Sequence, residues 1–333
     1  MSDDAYAKAG VSQGDADAAV AALVSALGAA SPSESRQVLA SGHYANVVRL
    51  DDRTGIALST DGVGTKLVLA EQLGRWDTVG IDCVAMNVND VVCVGAEPLA
   101  MVDYLAVDRA DPDVAGAIGV GLAKGAELAG IEIVGGELAQ LSDLINGLDL
   151  AGACFGVVGL DAMVTGASIE PGDTVIGLPS SGLHSNGYTL ARSVLEDIPL
   201  DDDRLGRPLG DVLLEPTEIY VKPILELLRS EVDVHGLAHI TSGGLNNLLR
   251  LDAGVAYEID DPLPVPPVFE LIQERGEVSD EEMHEVFNMG CGFCLVVAPV
   301  DETAAMKRLR AHYPDAKPIG RAADGPPGVT RRQ

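Results

Sequence analysis

The chain has 333 residues, 47% hydrophobic but only 4% aromatic, and 51 acidic against 22 basic side chains give it a formal net charge of −29. A field of that sign repels nucleic acid and anionic membrane surfaces, and a core built from Val, Leu, Ile, Ala and Gly offers few rings for base stacking. Only six basic residues are lysines and the acids are spread along the chain, a balance suited to a halophilic cytoplasm, where the Debye length falls to ~3 Å at 1 M salt.

In chain order, residues 15–29 predict an alanine-rich helix, and SPSES and SGHY mark loops. GIALST predicts a strand that delivers the chain to Asp61, and IDCVAMNVNDVVCVGAEP a helix ended by Gly95 and Pro98. On a helical wheel Val84, Val88 and Val91 share one side, while Asp82, Met86, Asn89 and Asp90 cluster on the other. That helix is expected to bury one face and offer carboxylates and an amide from the opposite one. MVDYLAV predicts a strand, 113–130 a small-residue helix, and EIVGGE and LAGACFGVVGL two further strands.

Apolar periodicity is lost near 161–172, which places a boundary between a domain of residues 1–164 and one of 165–333. Beyond it, DTVIGLPSSG predicts a strand running into a glycine-serine loop, and HSNGYTLARSVLED and TEIYVKPILELLRSE predict helices. GLAHITSGG and GFCLVVAPV predict strands, the latter followed by a helix over 301–311. The fold class is therefore α/β or α+β with two domains. No apolar run reaches the ~20 residues of a membrane span. MSDDAYAKAG carries no basic, hydrophobic leader, and five cysteines, an odd number, predict reduced thiols in a cytoplasmic protein. Cys291 and Cys294 form a CxxC without a second pair or a spaced histidine, so packed thiols are expected rather than zinc or redox chemistry.

Four stretches carry chemistry: STDGVGTKL at 59–67, NVND at 87–90, VGGE at 134–137 and SSGLHSNG at 180–187. Three of them set glycine beside a carboxylate, amide, hydroxyl or imidazole, and NVND sets two amides and a carboxylate on the polar side of its helix. Glycines free backbone N–H groups to face an anion, and carboxylates offer hard oxygen ligands to magnesium. DGVGTK lacks the four-residue gap of a P-loop and GxGxxG is absent, so recurrence rather than any single stretch predicts a phosphate-and-metal site. Lys66 follows a glycine loop and is expected to meet an anion. His184 and His239 each have a bland reading as solvated or capping side chains.

With these stretches in view, the sequence resembles the aminoimidazole ribonucleotide synthetase (phosphoribosylformylglycinamidine cyclo-ligase) family almost end to end. DGVGTK and VND are shared with a wider ATP-using superfamily, whereas GAEPLAMVDYLAV, SSGLHSNGY and PTEIYVK narrow the likeness to the cyclo-ligase. The resemblance implies ATP-dependent ring closure of formylglycinamidine ribonucleotide in purine biosynthesis, by a homodimer whose N-terminal domains share a β-barrel. It implies magnesium held by Asp61 and Asp90 with help from Glu137, and phosphate contacts from Lys66, Gly62, Gly64 and Thr65. It also implies nucleotide contacts from Asn87, Asn89, Gly135 and Gly136, and His184, with Ser185 and Asn186, facing the formyl group to stabilise or protonate it. ATP, Mg2+ and a candidate K+ are the implied cofactors, with neither nucleic acid nor membrane as partner.

Leu138, Gln140 and Ser242 depart from the family's usual hydroxyl, carboxylate and glycine, and an expected N-terminal lysine has no counterpart beyond Lys8. Two rival readings stay open: a small-molecule kinase of the same superfamily, and a non-catalytic ATP-binding maturation subunit.

Overall fold

A computed structural model describes residues 13–29, 35–39 and 42–332, so Lys8 and most of SPSES lie outside the described residues. After helix α1 (Gln13–Ala29) come strands β1 (Asn46–Arg49) and β2 (Thr54–Gly62), helices α2 (Lys66–Leu73) and α3 (Val79–Val92), and β3 (Glu97–Val107). Helix α4 (Pro112–Ala129), β4 (Glu132–Gln140) and β5 (Leu148–Gly159) complete a first sheet of order β1-β2-β5-β3-β4. Only the β3/β4 pair is parallel in it.

The second sheet has the order β11-β8-β10-β6-β9-β7, with β6 (Thr174–Pro179), β7 (Val234–His239), β8 (Ala256–Ile259), β9 (Cys291–Val297), β10 (Lys317–Ala323) and β11 (Gly328–Arg331). Around it lie α5 (Tyr188–Leu195), α6 (Leu209–Leu213), α7 (Val221–Leu228), α8 (Pro267–Gly276), α9 (Asp280–Val286) and α10 (Glu302–Leu309), with a 3-10 turn at Gly244–Arg250. The two-domain α/β class holds, and each sheet is open rather than closed into a barrel within the chain.

Local chemistry explains the elements that place the site. Helix α4 starts where the Asp111 carboxylate accepts from Asp113 N (2.9 Å) and Pro112 occupies the first turn, and it stops at Gly130, whose φ is 77°. Strand β9, CGFCLVV, is buried at every position between β6 and β7, as a central strand covered on both faces must be. The five cysteines are free and buried, with Cys291 and Cys294 Sγ atoms 3.5 Å apart, so packed thiols are what the fold contains.

Three expectations need correction. Helix α3 ends at Val92, and Pro98 lies inside β3, where a first-turn position of a strand tolerates the missing N–H. The helix expected from His184 begins only at Tyr188, because His184 takes a left-handed φ of 63°. Above all, the polar side of α3 does not face solvent: Asp82, Met86, Asn87 and Asn89 are buried like its valines.

Helices α3 and α4 touch backbone to backbone. A Cβ at Gly80 would collide with Leu122 N and Ile118 O, and one at Gly121 with Asp77 O. Gly80→Ala is therefore expected to destabilise the protein by about 2–3 kcal/mol through overpacking. Gly119→Ala, whose Cβ would meet open space, should instead gain up to ~1 kcal/mol from helix propensity. Urea midpoints of opposite sign for the two variants check the packing.

Candidate active site

Three of the four motifs, at 59–67, 87–90 and 180–187, are tied together around α3 and Lys66. Asn87 lies beneath the end of β2, its Oδ1 accepting from Asp61 N (3.0 Å) and its Nδ2 donating to Asp61 O (3.1 Å) and Cys83 O (2.9 Å). Two turns of the same helix reach into the second domain. Asp82 Oδ1 accepts from Thr217 N and Thr217 Oγ1, both at 2.7 Å. Asn89 donates to Glu218 O (2.8 Å) and accepts from Tyr220 N (3.0 Å). Asp90 Oδ1 meets His239 Nδ1 at 2.9 Å, so the proton of that bond is assigned to Nδ1.

These contacts revise several expected roles. Both asparagines have their amides engaged with backbone, so Asn87 is a positioning residue for Asp61 and Asn89 a clamp on residues 218–220. Lys66 is fully buried, and Nζ donates to Asp82 Oδ1 (2.9 Å), His184 O (3.0 Å) and Glu215 O (2.6 Å). An ammonium has three protons, and all three are taken, which leaves none for a phosphate. Burial pushes the Lys66 pKa down against the upward pull of Asp82, and the close carboxylate with three acceptors keeps the charged form.

Glu137 does not join Asp61 and Asp90. Asp61, Gly152, Asp103 and Gly136 form one cross-strand row, whereas Glu137 pairs with Tyr104 in the next row. The pleat therefore turns Glu137 to the opposite face, and it is exposed, three strands or ~14 Å from β2 at ~4.8 Å per strand. Among the described residues no three His, Cys, Asp or Glu side chains gather as a metal cage. Gly136 faces inward, where a Cβ would collide with the Asp103 carboxylate, while Gly135 touches nothing.

Asp61 and Asp90 remain as the acid pair. Burial first, and then the charge of Asp90, push the Asp61 carboxyl up to about 6, although Gly62 N donates to Asp61 Oδ1 at 2.7 Å. Two carboxylates whose mutual repulsion raises a pKa are a fit for a divalent cation, which magnesium satisfies with one or two carboxylates plus phosphate oxygens. Gly64, at φ 71°, is exposed and opens α2, and Thr65 Oγ1 lies 3.1 Å from Thr189 Oγ1. Leu67 N and Val68 N already donate to Gly64 O (3.2 Å) and Thr65 O (3.3 Å), so only the N–H groups ahead of them are left for an anion.

In the second domain, the 180–187 loop carries buried donors without partners. His184 Nε2 accepts from Ser181 N (3.2 Å), which leaves the proton on Nδ1, and that atom has no partner. Asn186 Nδ2 is likewise buried and unpartnered, while Ser185 Oγ bonds Thr217 Oγ1 at 3.0 Å. Burial, then His239 and Lys66, hold the His184 pKa well below its ordinary value. The ring is thus a neutral N–H donor and not the proton-delivering imidazolium that the resemblance allowed.

The departures from the family pattern sit in different surroundings. Leu138 is 45% exposed and edges a cavity of about 120 Å³ whose lining includes Leu105, Trp76 and Val114 beside Glu71 and Arg109. Ser242 avoids the left-handed region that Gly243 (φ 94°) and Gly244 (φ 53°) adopt, so it needs no glycine. Sequence reading passed over two residues: Asp103, in line with Asp61, and Arg250, which acts on it. The inward parity of MVDYLAV was the available signal for the first.

The two domains define a protein of the AIR synthase related class: that family's N-terminal domain profile matches residues 42–158 and its C-terminal domain profile residues 170–331. A phosphoribosylformylglycinamidine cyclo-ligase from Methanothermobacter thermautotrophicus is 54% identical over 295 residues, covering 86% of this chain and 85% of the relative. Its namesake from Methanocaldococcus jannaschii is 47% identical over 325 residues, with 96% and 92% covered. The chain belongs to the phosphoribosylformylglycinamidine cyclo-ligase family. Solved structures share the fold at lower identity: a hydrogenase maturation protein HypE in complex with ATP (19%, TM-score 0.62, 83% of this chain and 79% of that one) and AaThiL complexed with AMPPCP and TMP (17%, TM-score 0.62, 87% of each).

Two predictions follow from the buried charges. Lys66→Met should cost about 3–5 kcal/mol in urea unfolding, and adding Asp82→Leu should recover part of it, because removing one partner strands a buried charge. Unchanged stability with weakened ATP binding would restore the phosphate role to Lys66. For Asp61, the folded pKa of about 6 exceeds the reference 3.8, so the ionised form opposes folding above pH 6. Asp61→Asn should then raise stability in EDTA at pH 8 by on the order of 2–3 kcal/mol, and the gain should fade as pH falls from 6 toward 4.

Proposed function

We propose that the chain closes formylglycinamidine ribonucleotide to aminoimidazole ribonucleotide with ATP, releasing ADP and phosphate, and that the cleft between Asp61/Asp90 and the 180–187 loop is where it does so. The observation that carries the placement is a half-buried acid pair on one domain and two unpartnered donors, His184 Nδ1 and Asn186 Nδ2, on the other, the two sides being joined by the bond from Lys66 Nζ to His184 O.

The amide oxygen of the substrate is a poor leaving group. Transfer of the γ-phosphoryl to it gives an imidate phosphate. The neighbouring nitrogen then attacks the imidate carbon, the C–O bond breaks, and phosphate departs with the oxygen. In this reading His184 and Asn186 donate to the formyl-derived oxygen, and the peptide clamp of Asn87 fixes the Asp61 carboxylate. Catalysis of this kind rests on positioning and charge stabilisation. Asp61 and Asp90 would hold magnesium, which when bound with ATP neutralises phosphate charge. The expected phosphate contact is the backbone at Gly64 and Thr65.

The outer face of the first sheet supports a homodimer. Leu58, Val102, Tyr104 and Phe155 stand 38–47% exposed on it, and cross-strand pairing puts them on one side. A contiguous apolar sheet face of this kind marks an interface, and a second copy of the chain is its expected cover. A small-molecule kinase would leave a stable phosphorylated product instead of free phosphate.

The deciding assay measures phosphate release from ATP in magnesium and molar KCl, with and without formylglycinamidine ribonucleotide. One phosphate and one aminoimidazole ribonucleotide per ATP are expected. A phosphorylated product, or no release, would overturn the reading.

A further inference from the structure

With Lys66 enclosed and His184 neutral, the acid site needs another cation to receive a phosphate. Arg250 ends the 3-10 turn Gly244–Arg250, which begins five residues after His239, whose ring is bonded to Asp90. Its guanidinium lies over the Tyr44 ring, 5.1 Å from the centroid. Tyr44 is itself fixed: it is buried, and its hydroxyl donates to Asn247 O at 2.7 Å, within the same turn. Asn247 in turn accepts from Thr241 N at 2.7 Å. Tyr44 leads into β1, whose first residue, Asn46, pairs antiparallel with Leu58, so the residues before Asn46 lie toward the Asp61 end of β2.

Arg250 is exposed. It forms no ion pair among the described residues, although its charge reaches Asp61. A guanidinium packed on a ring keeps its five donors free and pre-oriented, and Arg offers a planar fork matched to phosphate oxygens.

We infer that Arg250, held on Tyr44 at the domain junction, is the cation that receives a ligand phosphate at the Asp61/Asp90 site. The inference rests on the functional reading above. The phosphate has two sources, the polyphosphate of ATP and the 5′-phosphate of the ribonucleotide, and both present the same chemistry to the fork.

The test compares wild type with Arg250→Met, Arg250→Lys and Tyr44→Phe, using calorimetric binding of Mg–ATP and, separately, of formylglycinamidine ribonucleotide, with circular dichroism as the check on folding. Arg250→Met should weaken one of the two ligands 10- to 100-fold, the range of a charge-assisted hydrogen bond. Arg250→Lys should recover less than half of the loss in logarithmic terms, and Tyr44→Phe, which keeps the ring, should stay within about 3-fold of wild type. Weakening confined to Mg–ATP assigns the nucleotide phosphates, and weakening confined to the ribonucleotide assigns its 5′-phosphate. Folded Arg250→Met that binds both ligands like wild type overturns the assignment while leaving the functional reading intact. A wild type that binds neither ligand removes both.

Discussion

The buried Lys66–Asp82 pair is the contact on which the arrangement of the site depends. It brings together the start of α2, the first turn of α3, the carbonyls of His184 and Glu215, and both hydrogen-bonding groups of Thr217. A buried ion pair adds little net stability over an apolar substitute. Its effect here is on register: only one placement of the second domain presents those acceptors to the ammonium. The same lysine that fixes α2 beside Asp61 also fixes the carbonyl of His184, so both walls of the cleft hang on one side chain. His184 holds a left-handed φ of 63°, a cost of order 1–3 kcal/mol, and the bond from Lys66 to its carbonyl is part of what sustains it.

Charge follows the same economy of cations. A protein of net charge −29 must accept an anionic nucleotide and an anionic ribonucleotide. Surface acids act weakly at high ionic strength because screening is short-ranged, but Asp61 is partly desolvated and feels Asp90 directly. The two carboxylates therefore repel each other most when no cation is near, and the magnesium of the proposed function would relieve that repulsion where it is strongest. In that reading substrate and metal would be coupled through the electrostatics of two carboxylates.

The sequence made the elements legible wherever one periodicity dominated. The small-residue helix α4 with its Asp-Pro start and Gly end, and the strand delivering Asp61, were readable from local chemistry. Asp61 beside its glycines and Asp90 beside Asn89 were readable as a pair. What stayed hidden depended on long-range partners. A polar helix side looks the same in sequence whether it meets water or a second domain, so the burial of Asp82, Asn87 and Asn89 could not be read from the wheel. Lys66 could not be assigned because its acceptors include Glu215, 149 positions away. The face of Glu137 could not be read because its parity relative to Asp103 is set by a register shift between Met101 and Val102, which no local pattern announces.

These contacts also limit how the protein can move. Four residues of α3 bind across or toward the cleft: Asp82 to Thr217, Asn87 to Asp61, Asn89 to residues 218–220, and Asp90 to His239. A hinge opening between the domains would break three of these together and give up the net contribution of each hydrogen bond, on the order of 1 kcal/mol apiece and more for those to a carboxylate. Motion during turnover must then lie in the loops that the clamps leave free. The Gly62–Thr65 turn has an exposed, left-handed Gly64, and the 180–187 loop carries the unpartnered donors. Rigid walls with adjustable loop tips suit a reaction in which the reacting oxygen stays fixed while phosphate is delivered to it and then removed.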